Sequence, residues 1–202
     1  MKKYLFVALT LGWLNVSASI VTIDFEGVVA DTDKLVSATP YLEDGMMVDS
    51  ATDNGIFGKD AALTNTNGSA VFGWCNITIQ LCEPNDLITV SNVGGWIFDL
   101  LSLDGSNAFN GQTPGDLTVT GFYEGGGSIS TVLNLQLDTW QHFTFDSSWA
   151  GLDYVTIAAT GGPSNWDPGI DNIVVNAVPI PAAVWLFGSG LGLLGWMKRK
   201  RA

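Results

Sequence analysis

The sequence predicts an all-β fold: an antiparallel β-sandwich, jelly-roll-like, flanked by an N-terminal signal helix and a C-terminal transmembrane helix. Three observations predict it. Short runs in the middle of the chain alternate apolar and polar residues, and no long stretch keeps a helical period. Clusters of Gly, Asn and Asp punctuate those runs. Each end of the chain is an uncharged apolar segment bordered by basic residues.

The first element is Met1-Lys2-Lys3 followed by the apolar run 4–14 (YLFVALTLGWL), with the small residues Ser17 and Ala18 closing it. Charge, short apolar core and small-residue site are the order that a signal peptidase reads, so residues 1–18 are expected to be a signal peptide cut after Ala18. A core this short fits poorly across a hydrocarbon layer of roughly 30 Å.

Residues 19–177 are enough for one domain with its own core. The segment Asp24-Phe25-Glu26-Gly27 ends the first strand, and alternation puts Asp24 and Glu26 on one face with Phe25 on the other. The polar stretch 50–69 reads as long loops. Residues 119–123 (VTGFY) lie in a Thr-rich β-prone run, and Gly125-Gly126-Gly127 supplies a hairpin connection. Leu133, Leu135 and Leu137 alternate with Asn134 and Gln136, as a half-buried strand does. Phe143 and Phe145 alternate with His142 and Thr144, Val155 and Ile157 repeat the pattern, and Ile173 and Val175 close the series. Gly169-Ile170-Asp171-Asn172 opens the last strand. Short strands with turn signals between them predict two packed sheets.

The last element, residues 178–202, starts with Val178-Pro179-Ile180-Pro181-Ala182 and runs without charge to Met197. Lys198, Arg199, Lys200 and Arg201 follow. Twenty apolar residues at about 1.5 Å each span a thin bilayer, and the four cations hold that end in the cytoplasm. Two prolines at alternate positions favour extended backbone before the helix, keeping the segment accessible.

All twenty acidic side chains fall between Asp24 and Asp171, against only Lys34 and Lys59, so the body carries a formal charge of −18. Nucleic acid and anionic lipid are thereby excluded as partners, because binding would be repulsive. Divalent cations are allowed, although solvation alone accounts for most of those carboxylates.

Cys75 and Cys82 are the only cysteines. In an exported chain such a pair is expected to form a disulfide. An extended segment would hold the two Cα atoms beyond the 4.4–6.8 Å that a disulfide needs, so a turn or hairpin must lie between them. A metal site on this pair lacks partner ligands. Catalysis finds little support: His142 is the only histidine, it lies on a strand, and no GxSxG string accompanies it. A carboxylate pair of the glycosidase kind has no single candidate. One structural calcium ion is the stronger chemical expectation, with Asp24, Glu26 and Asp171 as ligands, since first and last strands of jelly rolls often lie side by side. Edge charges and Asx turns are the competing reading of the same residues. Among the tryptophans, Trp74 and Trp96 read as core. Trp166, in a loop beside Asn165 and Asp167, and Trp149, after Ser147-Ser148, are the candidates for stacking on a sugar ring.

The proline motif, apolar span and basic end together resemble the PEP-CTERM sorting signals, in particular their VPLPA variant, from which Ile180 departs where the variant usually has Leu. The resemblance covers about the last 25 residues. It implies recognition and cutting by an exosortase in the inner membrane of a Gram-negative cell, and a context of exopolysaccharide production. Residues 41–45 (YLEDG), 98–103 (FDLLSL), 119–121 (VTG) and 170–175 (IDNIVV) are similar to segments of secreted proteins bearing this signal, whose bodies are often similar to carbohydrate-binding jelly-roll modules. The expected function is therefore an exported, exosortase-sorted surface or matrix protein, a non-catalytic module binding polysaccharide or matrix components. A purely structural or adhesive protein, and a glycan-active enzyme, are the alternatives.

Overall fold

The computed structural model of the chain describes residues 19–27, 35–37, 40–50, 54–57, 66–76, 81–82, 87–107, 115–160 and 168–177. Along them run the strands Ser19–Ile23 (β1), Leu35–Ser37 (β2), Tyr41–Glu43 (β3), Met46–Ser50 (β4), Asn54–Phe57 (β5), Val71–Asn76 (β6) and Leu81–Cys82 (β7). Then come Leu87–Asn92 (β8), Phe98–Asn107 (β9), Asp116–Tyr123 (β10), Ser128–Asn134 (β11), Gln141–Thr144 (β12), Leu152–Thr160 (β13) and Pro168–Ala177 (β14). A single 3₁₀ turn, Ser147–Trp149, is capped by Asp146, whose side chain accepts from the Ser148 amide. Among the described residues no helix is long and apolar enough to cross a membrane. The two flanking helices expected from the sequence lie outside the described residues.

Named strands pair antiparallel throughout and form one curled sheet with two halves. One half runs β3-β4-β8-β13-β10-β11. The other runs β2-β5-β6-β14-β9-β12, with β1 beside β6 along the same edge of β14. The halves join where Leu152 pairs with Phe98. Their inner faces share one hydrophobic core. The row Tyr41, Val48, Val90, Val155, Gly121, Ile129 crosses the first half, and Ile23, Phe72, Leu100, Leu103, Ile170, Ile173 and Val175 come from the second. Gly121 is needed in that row because a Cβ there would stand 2.8 Å from Leu152 Cδ2.

Several sequence expectations are met. First and last strands are neighbours, with Ser19 opposite Ala177. The triple glycine closes the β10–β11 hairpin, where the Tyr123 amide donates to the Gly127 carbonyl and the Gly126 amide to that of Tyr123. Val155, Ile157, Ile173, Val175 and Trp74 are buried.

Other expectations need correction. β5 lies inside the stretch read as loops. Leu133 and Leu135 are buried as the alternation predicts, but Leu137 is exposed, because β11 has ended at Asn134 and the alternation runs only one leucine beyond it. Trp96 is 38% exposed rather than core, folded over Gly94 in the β8–β9 connection. β1 ends at Ile23, and Phe25 takes a left-handed backbone (φ 59°) that carries its ring into the core against Tyr41 and Phe72. Strand alternation therefore does not govern Asp24 and Glu26.

Candidate functional site

The buried corner at the start of β14 is set by a bulge. Between Asp171 and Val174 the β14–β9 register slips, and Asn172 is left-handed (φ 46°). An inserted residue bends a strand and re-aims its side chains. The Asp171 carboxylate is fully buried. One oxygen accepts from Asn67 Nδ2 and Ser69 Oγ, both at 2.7 Å, and the other from the Asn172 amide at 2.7 Å. Burial pushes this carboxyl up to about 6, against the three hydrogen bonds that lower it. Glu26 reaches the same loop from the other end of the chain, its Oε1 accepting from the Ala70 amide at 2.8 Å. Asp24 goes elsewhere: its Oδ1 caps the turn by accepting from the Glu26 amide, and its own amide donates to Glu43 Oε2.

Glu26 and Asp171 thus converge on residues 67–70, while Asp24 does not join them. Among the described residues no three His, Cys, Asp or Glu side chains gather as a metal site. The groups turned toward Asp171, the Asn67 amide nitrogen and the Ser69 hydroxyl, donate to its carboxylate. Every lysine and arginine of the chain lies outside the described residues. The cation-capable side chain near this corner is His142, whose Nδ1 lies 2.6 Å from Asp104 Oδ1, while Asn172 Nδ2 donates to Asp104 Oδ2 at 2.9 Å.

Trp149 is not a stacking platform. It is 5% exposed and packs against Phe145 with ring centroids 4.7 Å apart, because the 3₁₀ turn folds it under the sheet. Trp166 lies outside the described residues, as do Val178, Pro179, Ile180, Pro181, Ala182 and the basic residues Lys198, Arg199, Lys200 and Arg201. Cys75 stands directly opposite Cys82 in the antiparallel β6–β7 pair, so the backbone makes the hairpin approach that the spacing demanded.

The sequence reading missed the outer face of the first half. Its register lines up Leu42, Met47, Ser91, Tyr154, Phe122 and Ser128 across six strands. At the centre Phe122 and Tyr154 stack nearly parallel, centroids 4.5 Å apart and planes 13° apart. Two residues along the strands, about 7 Å away, a second row carries Asp49, Thr89, Thr156, Thr120 and Ser130. At strand spacings of about 4.8 Å the first row is about 24 Å long. The face therefore sets an aromatic pair beside a row that carries Asp49 and four hydroxyls, of which Thr156 is buried and Thr120 and Ser130 bond each other at 3.0 Å. Alternation with Val119 and with Val155 marks Phe122 and Tyr154 as outward-facing, but only strand pairing makes them neighbours.

No family model matches the chain, and no curated protein matches it significantly. Solved structures similar to it include a family 29 carbohydrate-binding module, 13% identical over 81% of this chain and 90% of that one, with a TM-score of 0.48. The CBM22-1 xylan-binding domain of Paenibacillus barcinonensis Xyn10C is 12% identical over 82% of this chain and 98% of its own, at 0.42. The CBM22-1–GH10 modules of Clostridium thermocellum xylanase 10B are 14% identical over 79% of this chain and 28% of that one, at 0.41. At TM-scores below 0.5, function rests on the chain's own residues.

Proposed function

We propose that this protein is an exported, non-catalytic module that binds a neutral polysaccharide across the outer face of the β3-β4-β8-β13-β10-β11 half. The observation that carries the reading is the stacked Phe122–Tyr154 pair set beside a row of hydroxyls. Sugar C–H faces lie against the rings and the hydroxyls hydrogen-bond the sugar's edge. A body charged −18 repels uronate chains, which makes the ligand neutral. The test is titration of neutral and acidic glycans into the wild type, Tyr154→Ala and Phe122→Ala. Each substitution is expected to weaken binding about tenfold, the equivalent of about 1.4 kcal/mol for a lost ring contact. Unchanged affinity in both variants sinks the site.

In this reading one structural calcium ion sits between Glu26 and Asp171, with Ser69 and Asn67 beside them. It supplies the positive charge that the corner otherwise takes from neutral donors. A calcium concentration about a hundred times Kd is expected to stabilise the fold by about 3 kcal/mol. EGTA is expected to lower the melting temperature of the wild type but not that of Glu26→Gln, and a melting temperature indifferent to EGTA removes the ion from the account.

The reading places the working body outside the cytoplasm. Residues 1–18 direct export, residues 178–202 are handled by an exosortase, and Cys75 and Cys82 are oxidised to a disulfide. Detection of the chain in the extracellular matrix, lost when Pro179 and Pro181 are replaced by Ala, is the expected outcome.

A further inference from the structure

Among the described residues, six strands have an edge that pairs with no other strand, and five of them are short. β2 and β3 have three residues each, β7 has two, β12 has four and β1 has five. β11 has seven, paired to β10 alone in an unbroken register. A long, regular edge offers a row of unmet amides and carbonyls to another strand, and proteins normally blunt such edges with charge, proline or a bulge. β11 has none of these, and residues 125–137 (GGGSISTVLNLQL) carry no charge in a chain with twenty acids. β1, the next longest, runs directly into Asp24 and Glu26.

We infer that β11 is a self-association edge, on which a second copy of this chain pairs its own β11 antiparallel about a two-fold axis at Thr131. Two bodies of the same strong negative charge meet along a neutral strip. The sequence of the strand is self-complementary in this register. Ile129, partly buried against the core, faces Leu133 of the second copy on the inner side, and Thr131 faces its equivalent. On the outer side Ser130 faces Val132, which is 54% exposed in the single chain, and Ser128 faces Asn134. The pairing joins two copies of the same half-sheet into one surface, with a closed two-fold geometry.

Sedimentation of the full chain in detergent, over a range of concentrations, is expected to give a dimer. The Thr131→Cys variant is expected to form a disulfide-linked dimer under mild oxidation, above the background of the wild-type cysteines. Thr118→Cys, one strand further in, is expected not to. The double variant Ser130→Glu with Val132→Glu sets like charges opposite each other at exposed positions, and is expected to weaken the dimer at least about tenfold while the monomer stays folded, as its circular dichroism reads. A monomeric wild type, absence of the Thr131→Cys cross-link, or a dimer undisturbed by the double variant overturns the inference. A dimer held by the apolar tail instead shows itself as one that the double variant leaves intact and that Thr131→Cys does not trap.

Discussion

Glu43 holds three groups on one oxygen. Its Oε2 accepts from the Asp24 and Phe25 amides at 3.0 and 3.3 Å and from the Tyr41 hydroxyl at 3.1 Å. Burial, followed by the neighbouring Asp24 charge, raises this carboxyl above its ordinary value despite those bonds. A folded-state pKa above the unfolded one means that the folded chain binds more protons between the two, so stability from this group falls as pH rises through that window. Glu43→Gln keeps an acceptor and removes the charge, and thermal melts between pH 4 and pH 8 are expected to show a flatter profile for the variant. Trp149→Ala is expected to cost about 3–5 kcal/mol in denaturant unfolding while leaving glycan affinity unchanged, as a core ring does and a stacking ring does not. Nothing local marked Glu43, Asn67 or Ser69 as partners of the first and last strands, because their contacts span 18 to 104 residues. Trp149 misled for a related reason: a polar sequence neighbourhood says little about which way a 3₁₀ turn points its ring.

Single strands were the legible unit. The runs around Val155, Ile157, Ile173 and Val175 alternate because one face meets the core, and that pattern is written in adjacent residues. It failed where backbone geometry departs from a flat strand, at Phe25 and at Leu137. Register was not legible where it sets Phe122 against Tyr154, whereas the spacing of Cys75 and Cys82 pointed to the opposition that the β6–β7 pair makes. Directly opposed residues of an antiparallel pair have Cα atoms roughly 4.5–5.5 Å apart, inside the range that a disulfide accepts. Closing so short a loop is expected to contribute about 2–3 kcal/mol. Intact-mass measurement should find the oxidised chain 2 Da lighter than the reduced one, and Cys82→Ser should lower the denaturation midpoint. Recovery of both cysteines as free thiols from exported protein counts against the bridge.

For the molecule as a whole, the composition said which partners are repelled and nothing of where a site lies. A body with twenty carboxylates and two lysines repels polyanions, whereas the aromatic strip emerges only once six strands are side by side. Their order in space, β3-β4-β8-β13-β10-β11, cannot be read from their order in the chain. The way the chain leaves this body has a mechanical consequence. Ala177 ends β14, which has β9 along one edge and β6 followed by β1 along the other. A pull on the tail therefore runs along an interior strand, and ladders on both sides resist it together in shear. A load applied along β14 from Ala177 meets the sheet in its strong direction, whereas a pull between Ser19 and Ala177, which face each other, unzips β1 from β14 one pair at a time.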